Sequence, residues 1–261
     1  MIVFFPSSQT TKVEVTNGTR VALATNARVR AVHAPKLLGW APYGPDLTTV
    51  LEGDLSHGNH AANEEPVVGR IAVRGMNLVG DDQADRGAHG GPDKVVYAYA
   101  VEDTRWWQGQ IGRSLGYGEF GENLTTEGID VNDALVGERW QIGTTVLEVS
   151  EPRVPCWRLG VRMNDKMFPR QFTEALRPGS YFRLIVEGSV GAGDEIRVVN
   201  RPDHGLTIRD VFRIYTRDRE EVPRLLTVPR MSESWKRWAA DWLQKRKSQP
   251  TEAADPGCCE A

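Results

Sequence analysis

With 261 residues, 40% of them apolar and 26% charged, and a net charge of −3, the chain has the makeup of an ordinary soluble globular protein and excludes a general affinity for nucleic acid or anionic lipid. It is longer than the commonest domain, so one large β domain or a core with an appendage is expected. Three cysteines, two adjacent near the end, exclude a disulfide framework; with no secretory leader and no apolar run of membrane-spanning length, a cytoplasmic protein is expected.

Residues 1–20 carry little periodicity and read as an N-terminal extension. Short β-like runs follow, Val21 to Thr25 and the strictly alternating Ala27 to Val32. Residues 34–66 are rich in Pro, Gly, Asn and Asp and read as loops, and Val67 to Val73 resumes strand character. The glycine-dense polar stretch Val79 to Lys94 leads into a buried strand, Val95 to Tyr99. Glu102 to Gln110 is predicted helical, its acidic residues early as the helix dipole favours. A second glycine-polar loop covers Gly118 to Leu124. A hairpin turning at Gly143 covers 137–142 and 144–150.

Helices are expected from Trp157 and over Phe168 to Leu176, with closing strands at Tyr181 to Val186 and Glu195 to Val199 and a turn between. Thr207 and Asp210 form a capping box opening one helix. Glu220 to Leu226 reads as a second. Ser232 caps a third, on which Trp235, Trp238, Trp242 and Leu243 share a face. The expected fold is therefore mainly β with helices (α+β). The predicted boundaries are an extension at 1–20, a β core at 21–202, a three-helix appendage at 203–247 and a tail at 248–261.

Chemistry concentrates in three loops. Glu151-Pro-Arg-Val-Pro-Cys-Trp-Arg158 holds the one cysteine outside the last four residues. Pro152 and Pro155 stiffen it, and Arg153 and Arg158 flank a thiol whose nucleophilic and metal-binding form is the thiolate, which nearby cations favour. Arg86, His89, Gly90, Gly91 and Lys94 have the composition of an anion site, with glycines that admit close backbone approach and cations that supply charge. Asn123 adds a donor and acceptor from the other glycine loop. If the three loops converge, they suit a heterocycle bearing a phosphate.

Other patterns are weaker. Gly116 to Gly121 matches GxGxxG literally, but no strand–loop–helix context surrounds it and no βαβ alternation is legible. His57, His60, Glu64 and Glu65, like Asp81, Asp82 and Asp85, read better as polar loops than as metal sites. His33 and His204 stand isolated. A Cys156–His89 hydrolase pair lacks an orienting third group.

In order and character, the three loops resemble those of the MOSC domain, the molybdenum cofactor sulfurase C-terminal module. The resemblance rests on Gly80-Asp-Asp-Gln-Ala-Asp85 with His89-Gly-Gly-Pro-Asp-Lys94, Phe120-Gly-Glu-Asn-Leu124, and Pro152-Arg-Val-Pro-Cys156. The C-terminal helices resemble the three-helix domain common in its small stand-alone bacterial branch. The resemblance implies a β-barrel-like core and a molybdenum–molybdopterin cofactor ligated by Cys156. It further implies cofactor contacts from Arg86, His89, Gly90, Gly91, Lys94, Asn123, Arg153 and Arg158, with His89 or Glu122 as proton relay. The implied activity is reduction of N-hydroxylated compounds, hydroxylaminopurines among them, to amines. Electrons would come from an external reductase, since no flavin, nicotinamide or iron–sulfur motif is present. The alternatives are sulfur transfer through a Cys156 persulfide and non-catalytic cofactor carriage, and a homodimer is expected.

Overall fold

A computed structural model describes residues 12–16, 19–23, 26–35, 64–78 and 91–248. The first strands, β1 (Lys12–Thr16) and β2 (Thr19–Leu23), pair antiparallel. The segment read as an N-terminal extension, 1–20, therefore contains the first strand of a hairpin and the start of the second. Its signal was present in the alternating Lys-Val-Glu-Val-Thr and in the Asn-Gly pair at 17–18, the dipeptide favoured in two-residue hairpin turns.

The main sheet takes its strands from distant parts of the chain: β3 (Arg28–Pro35), β4 (Glu64–Pro66), β7 (Val96–Ala100), β8 (Leu124–Glu127), β9 (Arg139–Ile142), β10 (Thr145–Pro152), β11 (Ser180–Val186) and β13 (Ile196–Asn200). Their spatial order is β13-β9-β10-β11-β7-β8-β3-β4. A smaller sheet joins β5 (Arg70–Arg74), β6 (Asn77–Leu78) and β12 (Gly188–Gly191). The main sheet curls until β3 returns to the approach to β13: Val29 donates to the Asp194 carbonyl at 2.9 Å, and Ile196 donates to the Ala27 carbonyl at 2.9 Å. That closure gives the barrel-like core. Val29, Val73, Val96, Leu124, Trp140, Leu147 and Phe182 fill it, all essentially inaccessible to solvent.

Further strands depart from the sequence reading, and one of them, β4, lies at the end of the stretch 34–66 read mainly as loops. Helix α1 (Val101–Ile111) follows β7 directly, and β8 then pairs with β7 in parallel, Ala98 opposite Leu124. This is a βαβ crossover, which the sequence analysis did not find. The GxGxxG stretch lies after α1 and before β8, so it does not open a helix after a strand and the dinucleotide reading still fails. The stretch expected as a turn after Val186 contains β12, which pairs residue for residue with β5 from Gly188–Val73 to Gly191–Arg70.

Helices α2 (Trp157–Arg162) and α3 (Phe168–Ala175) follow the cysteine loop. Leu159, Met163, Phe168 and Phe172 from this segment join Tyr97, Tyr99, Trp107 and Phe120 in a second, aromatic core. Indole Nε1 of Trp107 donates to the Tyr99 hydroxyl at 2.9 Å, satisfying the one polar atom that ring brings inside.

Helix α4 (Ile208–Thr216) opens with both halves of the capping box formed on Thr207 and Asp210. A 3₁₀ helix spans Arg219–Thr227, with Pro223 inside it, and α5 covers Glu233–Ser248. Val211, Ile214, Val222, Leu225 and Trp235 belong to the same packed cluster as Trp140 and Leu147 of the sheet. Trp238, Trp242 and Leu243 pack partly buried against it, so the tryptophan face is a packing surface. No helix among the described residues is long and apolar enough to cross a membrane.

Candidate functional site

The cysteine loop and the second glycine loop meet at Tyr97, the second residue of β7. Asn123 clamps the glycine loop there: its backbone N–H donates to the Tyr97 carbonyl at 2.8 Å, and its side-chain oxygen accepts the Tyr97 N–H at 2.9 Å. From the other side the Arg153 guanidinium lies over the Tyr97 ring, 5.0 Å from its centroid, and donates to the Phe120 carbonyl. Burial works against the charge on Arg153. Tyr97, Tyr181 and the Cys156 sulfur favour it, and together they raise its pKa. Arg153 therefore remains a cation beside the cysteine.

Gly121 shows why the loop needs glycine. Its φ is +73°, and a Cβ there would sit 3.5 Å from an Arg162 guanidinium nitrogen and 3.6 Å from one of Arg153. Two cationic heads thus approach one stretch of bare backbone. A left-handed residue without a side chain leaves that stretch open to a ligand.

Glu122 holds the loop in shape. It is fully buried and accepts from the Gly118 N–H at 2.7 Å, the Phe120 N–H at 3.1 Å and the Thr125 hydroxyl at 2.8 Å. Burial raises its pKa, partly offset by those same bonds. The sequence analysis gave Glu122 a proton-relay role; its bonds within the described residues are those of a loop anchor.

Sequence reasoning missed His33. It is buried on β3, with Nε2 3.5 Å from the Thr125 hydroxyl oxygen. That hydroxyl gives its proton to Glu122, and Nδ1 is buried with no hydrogen-bond partner among the described residues. Nδ1 lies against Gly118, where a Cβ would come within 2.9 Å of it. Burial, and secondarily the charge on Arg162, lower the His33 pKa and keep the ring neutral. Arg162, also missed, follows from the short helix: four residues after Arg158, it points back from the last turn of α2 toward Gly121 and His33.

Cys156 is a free, partly exposed thiol at the N-cap of α2, with extended backbone. The expected neighbours fall into four groups. Arg153 lies beside it, and Asn123 clamps the glycine loop to Tyr97, over which Arg153 lies. Lys94 reaches the same end of the sheet but is committed to structure: it ion-pairs with Glu151 at 3.4 Å and lies 5.9 Å from the Tyr181 ring centroid. Gly91, with φ +107°, accepts the Lys94 N–H and turns the chain into β7. Arg158 faces outward, over the Trp157 ring at 5.8 Å. Arg86, His89 and Gly90 lie outside the described residues, as do the sequences considered for metals at 57–60 and 81–85.

Comparison with known proteins points to one family. The family model for the MOSC domain matches residues 85–197, which take in the second and third loops and the first from Asp85 onward. The chain is 31% identical over 186 residues to the uncharacterized protein YflK of Bacillus subtilis, covering 70% of this chain and 83% of YflK. The chain belongs to the MOSC domain family. Its fold is similar to the crystal structure of YiiM from Geobacillus stearothermophilus, with a TM-score of 0.65 at 26% identity over 83% of this chain and 99% of that one. A protein named reductase from Gibberella moniliformis is 29% identical over 153 residues, 56% of this chain but 27% of that protein.

MOSC domains are associated in general with the molybdenum cofactor, and the residues present fit such a group. Among the described residues no three His, Cys, Asp or Glu side chains form a metal cluster. The donor set is instead one soft cysteine sulfur beside Arg153, with the Arg153 and Arg162 guanidinium groups both against the glycine backbone at Gly121. That set suits a metal arriving with its own sulfur ligands on an anionic carrier.

Proposed function

We propose that this MOSC chain is a molybdenum-cofactor-dependent reductase of N-hydroxylated compounds, hydroxylaminopurines included, acting in the cytoplasm and supplied with electrons by an external reductase. The observation that carries the reading is the free Cys156 beside Arg153, which meets Arg162 at the backbone of Gly121. The resemblance to a protein named reductase supports the reaction class.

The balance is an N-hydroxy compound plus two electrons and two protons giving an amine and water. When bound, the cofactor supplies two-electron chemistry at a metal able to accept oxygen. Cys156 would be its protein ligand. Arg153 and Arg162 would hold its anionic part, their donors fitting phosphate in a fork. Asn123 and Glu122 keep the glycine loop where those cations meet it. Phe120, Tyr97 and Leu159 close the floor of the site to water.

Protein purified from a cofactor-producing host is expected to contain stoichiometric molybdenum, and Cys156→Ser to lose it. The wild type should reduce hydroxylaminopurine with an artificial donor, and the variant should not. Sulfane sulfur on Cys156 without molybdenum would sink the reductase reading in favour of sulfur transfer. Stoichiometric molybdenum with no reduction of any N-hydroxy compound would make the chain a carrier.

A further inference from the structure

The C-terminal helices differ from the rest of the chain in charge. Residues 203–248 hold eleven Lys and Arg against seven Asp and Glu, a net +4. Since the whole chain is −3, the remainder is −7. Four of those seven acids are already paired within the unit: Asp210 and Asp218 with Arg213, Glu221 with Arg224 and Glu233 with Lys236. Arg219, Lys245, Arg246 and Lys247 have no ion-pair partner among the described residues. Two of these cations are held against aromatic rings. The Arg219 guanidinium lies 5.0 Å from the Tyr215 ring centroid and 5.1 Å from that of Trp238, and Arg246 lies 5.3 Å from that of Trp242. Trp238, Trp242 and Arg246 follow at four-residue intervals and so share one face of α5. The rings pack against the core but stay partly exposed, and the cations lie over them. A guanidinium held over a ring keeps its N–H donors in its own plane, set for a two-point grip on a carboxylate.

We propose that this arginine–tryptophan face, formed by α4, α5 and the 3₁₀ helix between them, is a docking surface for a partner protein with an exposed acidic segment. Carboxylates of that segment would take the donors of Arg219 and Arg246, with Lys245 and Lys247 adding charge at the end of α5. Complementary charge of this kind selects a partner and speeds its approach. A phosphate polymer is the poorer match, because its charge continues past the face and meets a remainder that is −7. A short acidic segment ends where the face ends. The surface stands apart from the cysteine site and does not depend on the reductase reading.

The test titrates a dye-labelled hexaglutamate peptide with the full chain and reads fluorescence anisotropy at about 0.15 M ionic strength, where distant charges are screened. The wild type is expected to bind, and the double variant Arg219→Gln with Arg246→Gln to bind about ten-fold more weakly or worse. Arg219→Lys with Arg246→Lys keeps both charges but loses the planar forks, and its affinity should fall between the two. No binding by the wild type overturns the proposal. So does an equal loss in Arg197→Gln, an exposed arginine on β13 that pairs with Glu195 outside the face. A labelled DNA duplex bound more tightly than the peptide, and weakened by the same double substitution, would make the face a nucleic-acid site and overturn it too. Should circular dichroism show the glutamine variant unfolded, the lysine variant decides alone, and binding equal to the wild type then overturns the proposal.

Discussion

Replacing Gly118 by alanine tests whether the glycine loop and the buried histidine are one packed unit. Gly118 has φ +78°, and a Cβ there would lie 2.9 Å from Nδ1, 3.1 Å from Cε1 and 3.2 Å from Cγ of His33. The left-handed backbone alone costs an L-residue about 1–2 kcal/mol. Forcing a methyl group against a buried ring adds about 1–3 kcal/mol, because neither the ring, hydrogen-bonded near Thr125, nor the loop, pinned by Glu122, has room to yield. A total of about 2–5 kcal/mol is expected, or roughly 2–4 °C in Tm for each kcal/mol in a protein of this size. Gly205 provides the control: its φ is +69° and nothing lies within 4 Å of its Cβ position, so Gly205→Ala should show the backbone cost alone. Urea unfolding of both variants, repeated in a His33→Ala background, separates the two contributions. The excess of Gly118→Ala over Gly205→Ala should vanish when the ring is gone. If the two glycine variants cost the same, or the excess survives without the ring, the packing argument is wrong.

Two further predictions concern charge. The His33 pKa is lowered in the fold from 6.5 by burial, so the unfolded chain takes up a proton first as pH falls, and His33 costs stability from about pH 6.5 downward. Urea unfolding of the wild type and His33→Asn at pH 7 and pH 5 should show the larger loss in the wild type; parallel losses would mean the ring titrates normally. The opposite contribution of Glu122, whose raised pKa favours the fold on acidification, is common to both proteins and cancels in the comparison. Glu148, buried on β10, accepts from Arg139 at 2.8 Å, Arg183 at 3.3 Å and Arg230 at 2.7 Å. Glu148→Gln should destabilise by about 3 kcal/mol, the low end for a broken buried pair because Arg139 and Arg230 reach water. A change below about 1 kcal/mol in thermal or urea unfolding would show that the arginines do not depend on it.

Much of the fold was legible where local pattern and tertiary demand agree. Val95 to Tyr99 is continuously apolar because β7 is covered on both faces, and the Thr207–Asp210 capping box is satisfied within its own turn. Strand β8 was not legible: Leu-Thr-Thr-Glu has little alternation, and its threonines are buried because Thr125 and Thr126 bond to Glu122 and the Tyr99 carbonyl. Glycine and serine in β12 signal a turn, and pairing with β5, more than a hundred residues earlier, overrides that preference. The site divides in the same way. Cys156, Arg153 and the glycine loop announce themselves by composition, whereas His33 looked isolated because its neighbours Gly118, Thr125 and Arg162 lie far along the chain.

The carboxylates on β10 have a consequence for how the cysteine loop is supported. Glu148 takes Arg230, and Glu151, further along the same strand, takes Lys94, Ser232 and Ser234. The strand that ends at the cysteine loop is therefore bolted at two points to the segment leading into α5. The C-terminal helices are thereby fastened to the strand that delivers the cysteine loop. A substitution at Arg230 or Ser234, far along the chain from Cys156, is therefore expected to loosen the support on which that loop rests.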